Sequence, residues 1–171
     1  MKISVLQISQ VVGGRLLASA EAAAQQCTSC SWDSREVAPG SVYFGLPGAN
    51  VDGAKFVDRA FEAMAVLAVI RKAASEEILE AAAQATRNLN KALIVVEDPQ
   101  LALQELAHFW AGKIGVNIVG ITGSVGKTTT KNFVATVLDE KFKVVCNKGN
   151  KNNEIGMPAT VLSADKGTEI C

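Results

Sequence analysis

Aromatic residues are scarce in this 171-residue chain, at 5%, which leaves little material for a base-stacking surface. An excess of either charge is also missing: 17 lysines and arginines face 17 aspartates and glutamates, for a formal net charge of zero. That excludes the broad basic footprint on which nucleic-acid binding depends. No apolar run approaches the roughly 18 residues of a membrane helix. The longest, residues 63–70, is of strand length. The N-terminus has one lysine and then a mixed segment with Gln7, Ser9 and Gln10. It lacks the continuous apolar stretch of a signal peptide, so a cytoplasmic address is expected.

Histidine is nearly absent: His108 is the only one. Cysteine is sparse, at Cys27, Cys30, Cys146 and Cys171. Cys27 and Cys30 form a CxxC, but neither a second cysteine pair nor a histidine pair follows at the spacing of a structural zinc site. Reduced thiols are the expectation, and no metal is expected there.

Apolar material is plentiful, at 49% against 20% charged residues, so a sizeable core is possible and disorder is not expected. The length fits one or two domains. Apolar runs alternate with helical patterns. Residues 42–46 read as a strand closed by Pro47 and Gly48, 56–64 as helix, 66–70 as a buried strand, 76–86 as helix and 92–96 as strand. Pro99 suits the first turn of the next helix, which Leu103, Leu106 and Trp110 continue. This β-α-β-α-β-α order predicts an α/β domain over residues 1–112.

A second unit is expected over 113–171. Residues 117–121 are strand-like, a glycine-rich turn follows, and a helix is predicted over 127–140. Residues 143–146 form the next strand. A polar loop, 147–154, leads to a short helix carrying Ile155, Met157, Val161 and Leu162, and another strand begins near Thr168. A parallel sheet needs several strands to bury both faces, so this second unit reads as incomplete.

The sharpest local signal is Gly120-Ile121-Thr122-Gly123-Ser124-Val125-Gly126-Lys127-Thr128-Thr129-Thr130. It lies between a strand and a helix, the context of a phosphate loop. Its glycines permit positive φ and close backbone approach to phosphate oxygens. Gly123, Ser124, Val125, Gly126, Lys127, Thr128 and Thr129 would surround the anion at the positive end of the helix. Lys127 offers a point charge to the β- and γ-phosphates, and Thr128 a hydroxyl ligand for Mg²⁺. The spacing is not a strict GxxxxGK[ST], because Ile121 stands five before Gly126. The loop alone does not choose among kinase, ATPase, GTPase and ligase.

The stretch GITGSVGKTTTK at 120–131, followed by Gly149-Asn150-Lys151-Asn152-Asn153-Glu154-Ile155-Gly156-Met157-Pro158, resembles the Mur ligase family. These ATP-dependent enzymes build the peptide stem of peptidoglycan. Asp33-Ser34-Arg35, the run from Pro39 to Phe44, Gly48 and Asp52-Gly53 are similar to the family's nucleotide-sugar-binding domain. Two positions depart from the pattern. Ala54 stands where the family often has histidine, and Val125 where many members have asparagine.

The resemblance implies three domains in a full-length member, of which this chain would hold the first and the start of the second. The family's Mg²⁺-binding glutamate, its carbamylated lysine and its C-terminal domain would lie beyond Cys171, so the chain alone is expected to be inactive. The asparagine-rich loop implies the member that joins D-alanyl-D-alanine to UDP-N-acetylmuramoyl-tripeptide through an acyl phosphate made from ATP. On that basis Lys127 is the catalytic candidate. Ser34, Arg35, Asn152, Asn153 and Glu154 are the substrate candidates, with Asn150 beside them. Plainer readings stand next to these. The 147–154 loop would satisfy its own turns and cap the next helix. Arg35 would pair with Asp33 or Glu36, and Asp52-Gly53 would form a turn. The competing functions are the preceding ligase of the series, a phosphate-loop kinase and a non-catalytic nucleotide-binding module.

Overall fold

A computed structural model describes residues 1–147 and 153–171. The expected α/β unit is built on a five-stranded sheet. Its strands are β2 (Arg15–Leu17), β4 (Ser29–Ser31), β5 (Ser41–Gly45), β6 (Leu67–Arg71) and β7 (Ala92–Val96), after two short strands, β1 (Ile3–Ser4) and β3 (Gln26–Cys27), that pair with each other. The spatial order is β2-β7-β6-β5-β4. All neighbours are parallel except β2, which runs antiparallel along the β7 edge.

Side chains alternate strictly between the two faces, as a strand period of two requires. Val42, Phe44, Leu67, Val69, Ala92 and Ile94 face one core. Tyr43, Ala68, Ile70 and Leu93 face the other. Helices α1 (Val5–Val12) and α5 (Pro99–Ile114) cover the first face. A 3-10 turn (Gly53–Phe56), α3 (Val57–Glu62) and α4 (Glu76–Asn88) cover the second. Both faces are thus dry, which is why these strands read as continuous apolar runs.

Helix limits follow from local chemistry. Ser75 caps α4 through the Ile78 amide, with Glu76 and Glu77 at its positive end and Arg87 in its last turn. Asp98 accepts from the Gln100 and Leu101 amides at 2.8 and 3.2 Å, and Pro99 opens α5. Gly115 ends it in the left-handed region, at φ +68°.

The structure adds two things to the sequence reading. The first forty residues, where no clear period is visible, contain short elements, including α1 and a one-turn α2 (Ala20–Ala24). The strands expected at 117–121 and 143–146 are reduced to single bridges. Asn117 and Val144 each pair in parallel with Ile170. The bonds Val119 N–H to Cys171 O (2.8 Å), Cys171 N–H to Asn117 O (2.9 Å) and Val145 N–H to Ile170 O (2.9 Å) place 169–171 between the other two segments.

Of the last two helices, α6 (Lys127–Asp139) has no buried residue, and Phe133 and Val137 are exposed. Helix α7 (Gly156–Ser163) instead packs on α5 and β4, with Leu162 in the first core.

Candidate functional site: a phosphate loop and a sheet edge

Residues 120–126 join the 117–119 segment to α6. Gly123 and Gly126 take φ of +152° and +82°, values that side chains with a Cβ rarely adopt. The first intrahelical bond is Thr130 N–H to Gly126 O, 2.8 Å, so the amides of the first turn of α6 remain at the loop. Lys127 folds back, its Nζ donating to the Gly123 carbonyl. One turn along, the Lys131 ammonium donates to the Asn147 carbonyl.

A cavity of about 500 Å³ opens here, lined by Ile121, Lys127, Thr128, Lys131, Asn147 and Thr160 among others. No aspartate or glutamate side chain lines it among the described residues. Two ammonium groups and a helix N-terminus, with no acidic side chain beside them among the described residues, are donors suited to an anion. Ser124, Val125 and Thr129 are exposed around it. The donor set fits a nucleotide phosphate. For Mg²⁺ the described lining offers the Thr128 hydroxyl as an oxygen ligand, which suits an ion that keeps most of its ligands from phosphate and water.

The second cluster lies at the carboxyl ends of the parallel strands, the edge where open α/β sheets bind ligands. After β4 comes the turn with Asp33, Ser34 and Arg35. Ser34 is nearly buried, whereas Arg35 is exposed. Arg35 forks onto Asp33, with Nε to Oδ1 at 2.9 Å and Nη2 to Oδ2 at 2.6 Å. Those side-chain bonds, then the Arg35 amide on Oδ1, hold the Asp33 carboxyl down at about 2.

Sign and window follow from linkage. A folded value below the unfolded one, about 4, gives stability that is present above that value and is lost as pH falls towards 2. Both partners are solvent-accessible, so the contribution is small and screened by salt. A carboxyl-carbon titration should place Asp33 near 2 and return it towards the ordinary range in Arg35→Ala. An unchanged midpoint in that variant would contradict the assignment.

After β5 comes a tight loop, 46–53. Gly53 N–H donates to Leu46 O (2.9 Å), Gly48 N–H to Val51 O (3.1 Å), and Tyr43 O–H to Gly53 O (2.8 Å). A Cβ on Gly53 would stand 2.7 Å from the Leu46 carbonyl oxygen. Gly53→Ala should therefore cost about 1–3 kcal/mol, as overpacking does, read as a lower urea midpoint. Unchanged stability would mean that the loop yields freely. Asp52 caps the 3-10 turn through the Ala54 amide (3.0 Å) and binds Arg71 at the end of β6.

The asparagine-rich loop is divided. Asn150 and Asn152 lie outside the described residues. The Asn153 Oδ1 accepts from the amide of Gly156, the first residue of α7, at 2.8 Å. The Glu154 carboxylate accepts from Gln100 Nε2 at 2.7 Å, and its backbone carbonyl from Gln104 Nε2 at 3.3 Å, so α5 holds the start of α7. His108 is exposed on α5. Burial pushes the Cys27 and Cys30 thiols up to about 12 and about 11, which keeps both protonated.

The fold thus gathers Gly123, Ser124, Val125, Gly126, Lys127, Thr128 and Thr129 at one site, and Ser34 with Arg35 at another. It sets Glu154 against α5 and Asn153 on the first amide of α7. Sequence reasoning passes over Arg71, because its partner Asp52 is 19 residues away. It also passes over Lys131, although the four-residue spacing from Lys127 puts both on one helical face.

Comparison with known proteins shows the family. Residues 26–111 match the model described as "Mur ligase family, catalytic domain", and residues 121–171 match "Mur ligase middle domain". The UDP-N-acetylmuramoyl-tripeptide--D-alanyl-D-alanine ligase of Bacillus subtilis is 35% identical over 170 residues, covering 99% of this chain and 35% of that protein. The ligase of the same name from Treponema pallidum is 41% identical over 133 residues, covering 77% of this chain and 28% of that protein. MurF from Acinetobacter baumannii shares the fold at a TM-score of 0.80, with 22% identity and coverage of 99% of this chain and 35% of that one. MurF ligase from Thermotoga maritima, solved in complex with ADP, superposes with a TM-score of 0.66 at 30% identity, over 83% of this chain and 30% of that one. The chain spans about a third of the length of these relatives. With one Mur ligase domain model matched over half of its residues and a second over most of the rest, the chain belongs to the Mur ligase family.

Proposed function

We propose that this chain supplies the UDP-substrate domain, residues 1–112, and the start of the ATP-binding domain, residues 113–171, of a peptidoglycan ligase. The enzyme joins D-alanyl-D-alanine to UDP-N-acetylmuramoyl-tripeptide in the cytoplasm at the expense of ATP. One observation carries the reading: a cavity with Lys127 and Lys131 at a helix N-terminus, and no acidic side chain among its described lining, follows an α/β unit whose strand ends bear Ser34 and Arg35. The relatives of the same order are ligases of that name.

The chemistry suits these residues. Phosphoryl transfer is mostly positioning and charge neutralisation. Lys127 exchanges the Gly123 carbonyl for the β- and γ-phosphate oxygens, and the amides of the loop hold the rest of the anion. The tripeptide carboxylate attacks the γ-phosphorus, the bond to the bridging oxygen breaks, and ADP leaves. The dipeptide amine then attacks the acyl carbon, inorganic phosphate leaves, and the amine loses a proton. Mg²⁺, held by Thr128 when bound, supplies further neutralisation of phosphate charge. Ser34 and Arg35 bind the UDP portion, for which the planar guanidinium fork is suited once it leaves Asp33. Asn153 and Glu154, at the start of α7, contact the acyl substrate, and Asn152 is the third residue assigned to it.

The test is phosphate release by the natural full-length product and by this chain. Release by the long protein that requires both UDP-tripeptide and D-alanyl-D-alanine supports the proposal, with none from the short chain. Release that requires a single free amino acid and the UDP-dipeptide would assign the protein to the preceding step. Release without either substrate would contradict a ligase.

A further inference from the structure

Arg71 ends β6 and lies outside every motif of the sequence. Its Nε and Nη2 both bind Asp52 Oδ2, at 2.9 and 2.8 Å. The side chain of Asp52 is only 10% exposed and that of Arg71 34%, so this pair is shielded far more than Arg35–Asp33 or Lys72–Glu97, each with one side chain at least 70% exposed. Both carboxylate oxygens of Asp52 are engaged: Oδ1 takes the Ala54 amide and Oδ2 takes Arg71.

Strand register gives the pair its meaning. β4, β5 and β6 are adjacent and parallel, with Ser31 opposite Tyr43 and Gly45 opposite Ile70. The 33–35 turn, the 46–53 loop and Arg71 therefore leave the sheet side by side. The loop is anchored to its own strand through Gly53 and Tyr43. Its tie to the next strand is the Asp52–Arg71 pair. Tyr43 senses both neighbouring segments: burial first, then the negative charges of Asp33 and Asp52, raise its phenol to about 12.

We propose that Arg71 is a positioning residue of the UDP-substrate site, fixing the 46–53 loop through Asp52 beside the Asp33–Arg35 turn. This rests on the reading of the sheet edge as the UDP site. The guanidinium acts by geometry: two donors on one shielded oxygen fix loop and strand in one relative position, which a flexible point charge does less well. A misplaced wall of a binding site weakens binding without unfolding the domain.

The experiment uses the full 171-residue chain and two ligands, UDP-N-acetylmuramoyl-tripeptide and Mg-ATP, measured by calorimetry beside thermal unfolding. Arg71→Gln is expected to weaken UDP-substrate binding by about tenfold or more, with Mg-ATP binding unchanged. Arg71→Lys should recover part of the loss. Asp52→Asn should weaken binding as well. The double variant should bind no worse than the weaker single one, because both act through one contact. Should Arg71→Gln fail to fold, Arg71→Lys and Asp52→Asn decide the matter, each being expected to bind more weakly than the unaltered chain. Unaltered affinity in the folded Arg71 variants, or losses that add in the double variant, would overturn the proposal. If the unaltered chain binds Mg-ATP but not the UDP-substrate, the UDP-site reading fails and this proposal falls with it. Failure of Arg71 alone leaves the binding of the unaltered chain intact.

Discussion

Trp110→Ala is expected to lower the unfolding free energy by about 3–5 kcal/mol, the range for deleting a buried indole. Trp110 is 1% exposed, on the face of α5 that meets the first core. Its Nε1–H donates to the Ala164 carbonyl at 2.9 Å, and Ala164 is itself fully buried. The substitution leaves a cavity and an orphaned carbonyl in one step. Trp110→Phe leaves a smaller cavity than alanine does and still orphans the carbonyl, so it weights the lost donor more heavily. That variant should cost roughly 1–3 kcal/mol, the penalty for one unsatisfied buried group. Urea unfolding with an unchanged slope is the measurement. The contact also fastens the end of α7 to α5, across 54 residues of sequence. Equal stability of Trp110→Ala and the unaltered chain would mean that α7 does not rest where the structure puts it.

Lys127→Ala should cost on the order of 3 kcal/mol of transition-state stabilisation, about 10²–10³ in turnover, as removal of other preorganised donors does. The relevant protein is the full-length ligase. In the free chain the ammonium is held by Gly123 O, one loop residue away from Ser124. The nucleotide must displace that carbonyl, a modest cost against two phosphate groups. Lys131 remains in the cavity when Lys127 is lost, so residual weak nucleotide binding is expected. Lys127→Arg should not restore the rate, because a longer planar fork does not occupy the point the ammonium does. A full-length Lys127→Ala enzyme with turnover near that of the unaltered one would show that the loop serves another purpose.

Much of this was legible in the sequence, and the reasons differ by element. β7 at 92–96 is recovered to the residue, because a continuous apolar run bounded by Asn90 and Pro99 has few alternatives. The α5 start is equally plain from Pro99, whereas its cap by Asp98 is seen only in the structure. The phosphate loop is legible because glycines, lysine and threonine must lie close in sequence to surround one anion. The first forty residues were not, because two- and three-residue strands such as β1 and β2 are too short to show a period. Asp52–Arg71 was hidden for another reason: only the adjacency of β5 and β6 brings its partners together. The Arg35–Asp33 pair is the plainer reading of Arg35 and is present, and the asparagine loop does bond to the first amide of α7 through Asn153. Neither bond excludes ligand contact, because the Arg35 and Asn153 side chains are exposed.

The most direct test of the account is a pair of amide-shift titrations on this chain, one with Mg-ATP and one with UDP-N-acetylmuramoyl-tripeptide. Two separate sites predict two separate sets of shifts. Mg-ATP should move the amides of 123–128 and leave the 33–35 and 46–53 segments in place. The UDP-substrate should move those segments and leave the loop at 123–126 in place. Mg-ATP shifts confined to another surface, or both ligands competing for one set of amides, would contradict it.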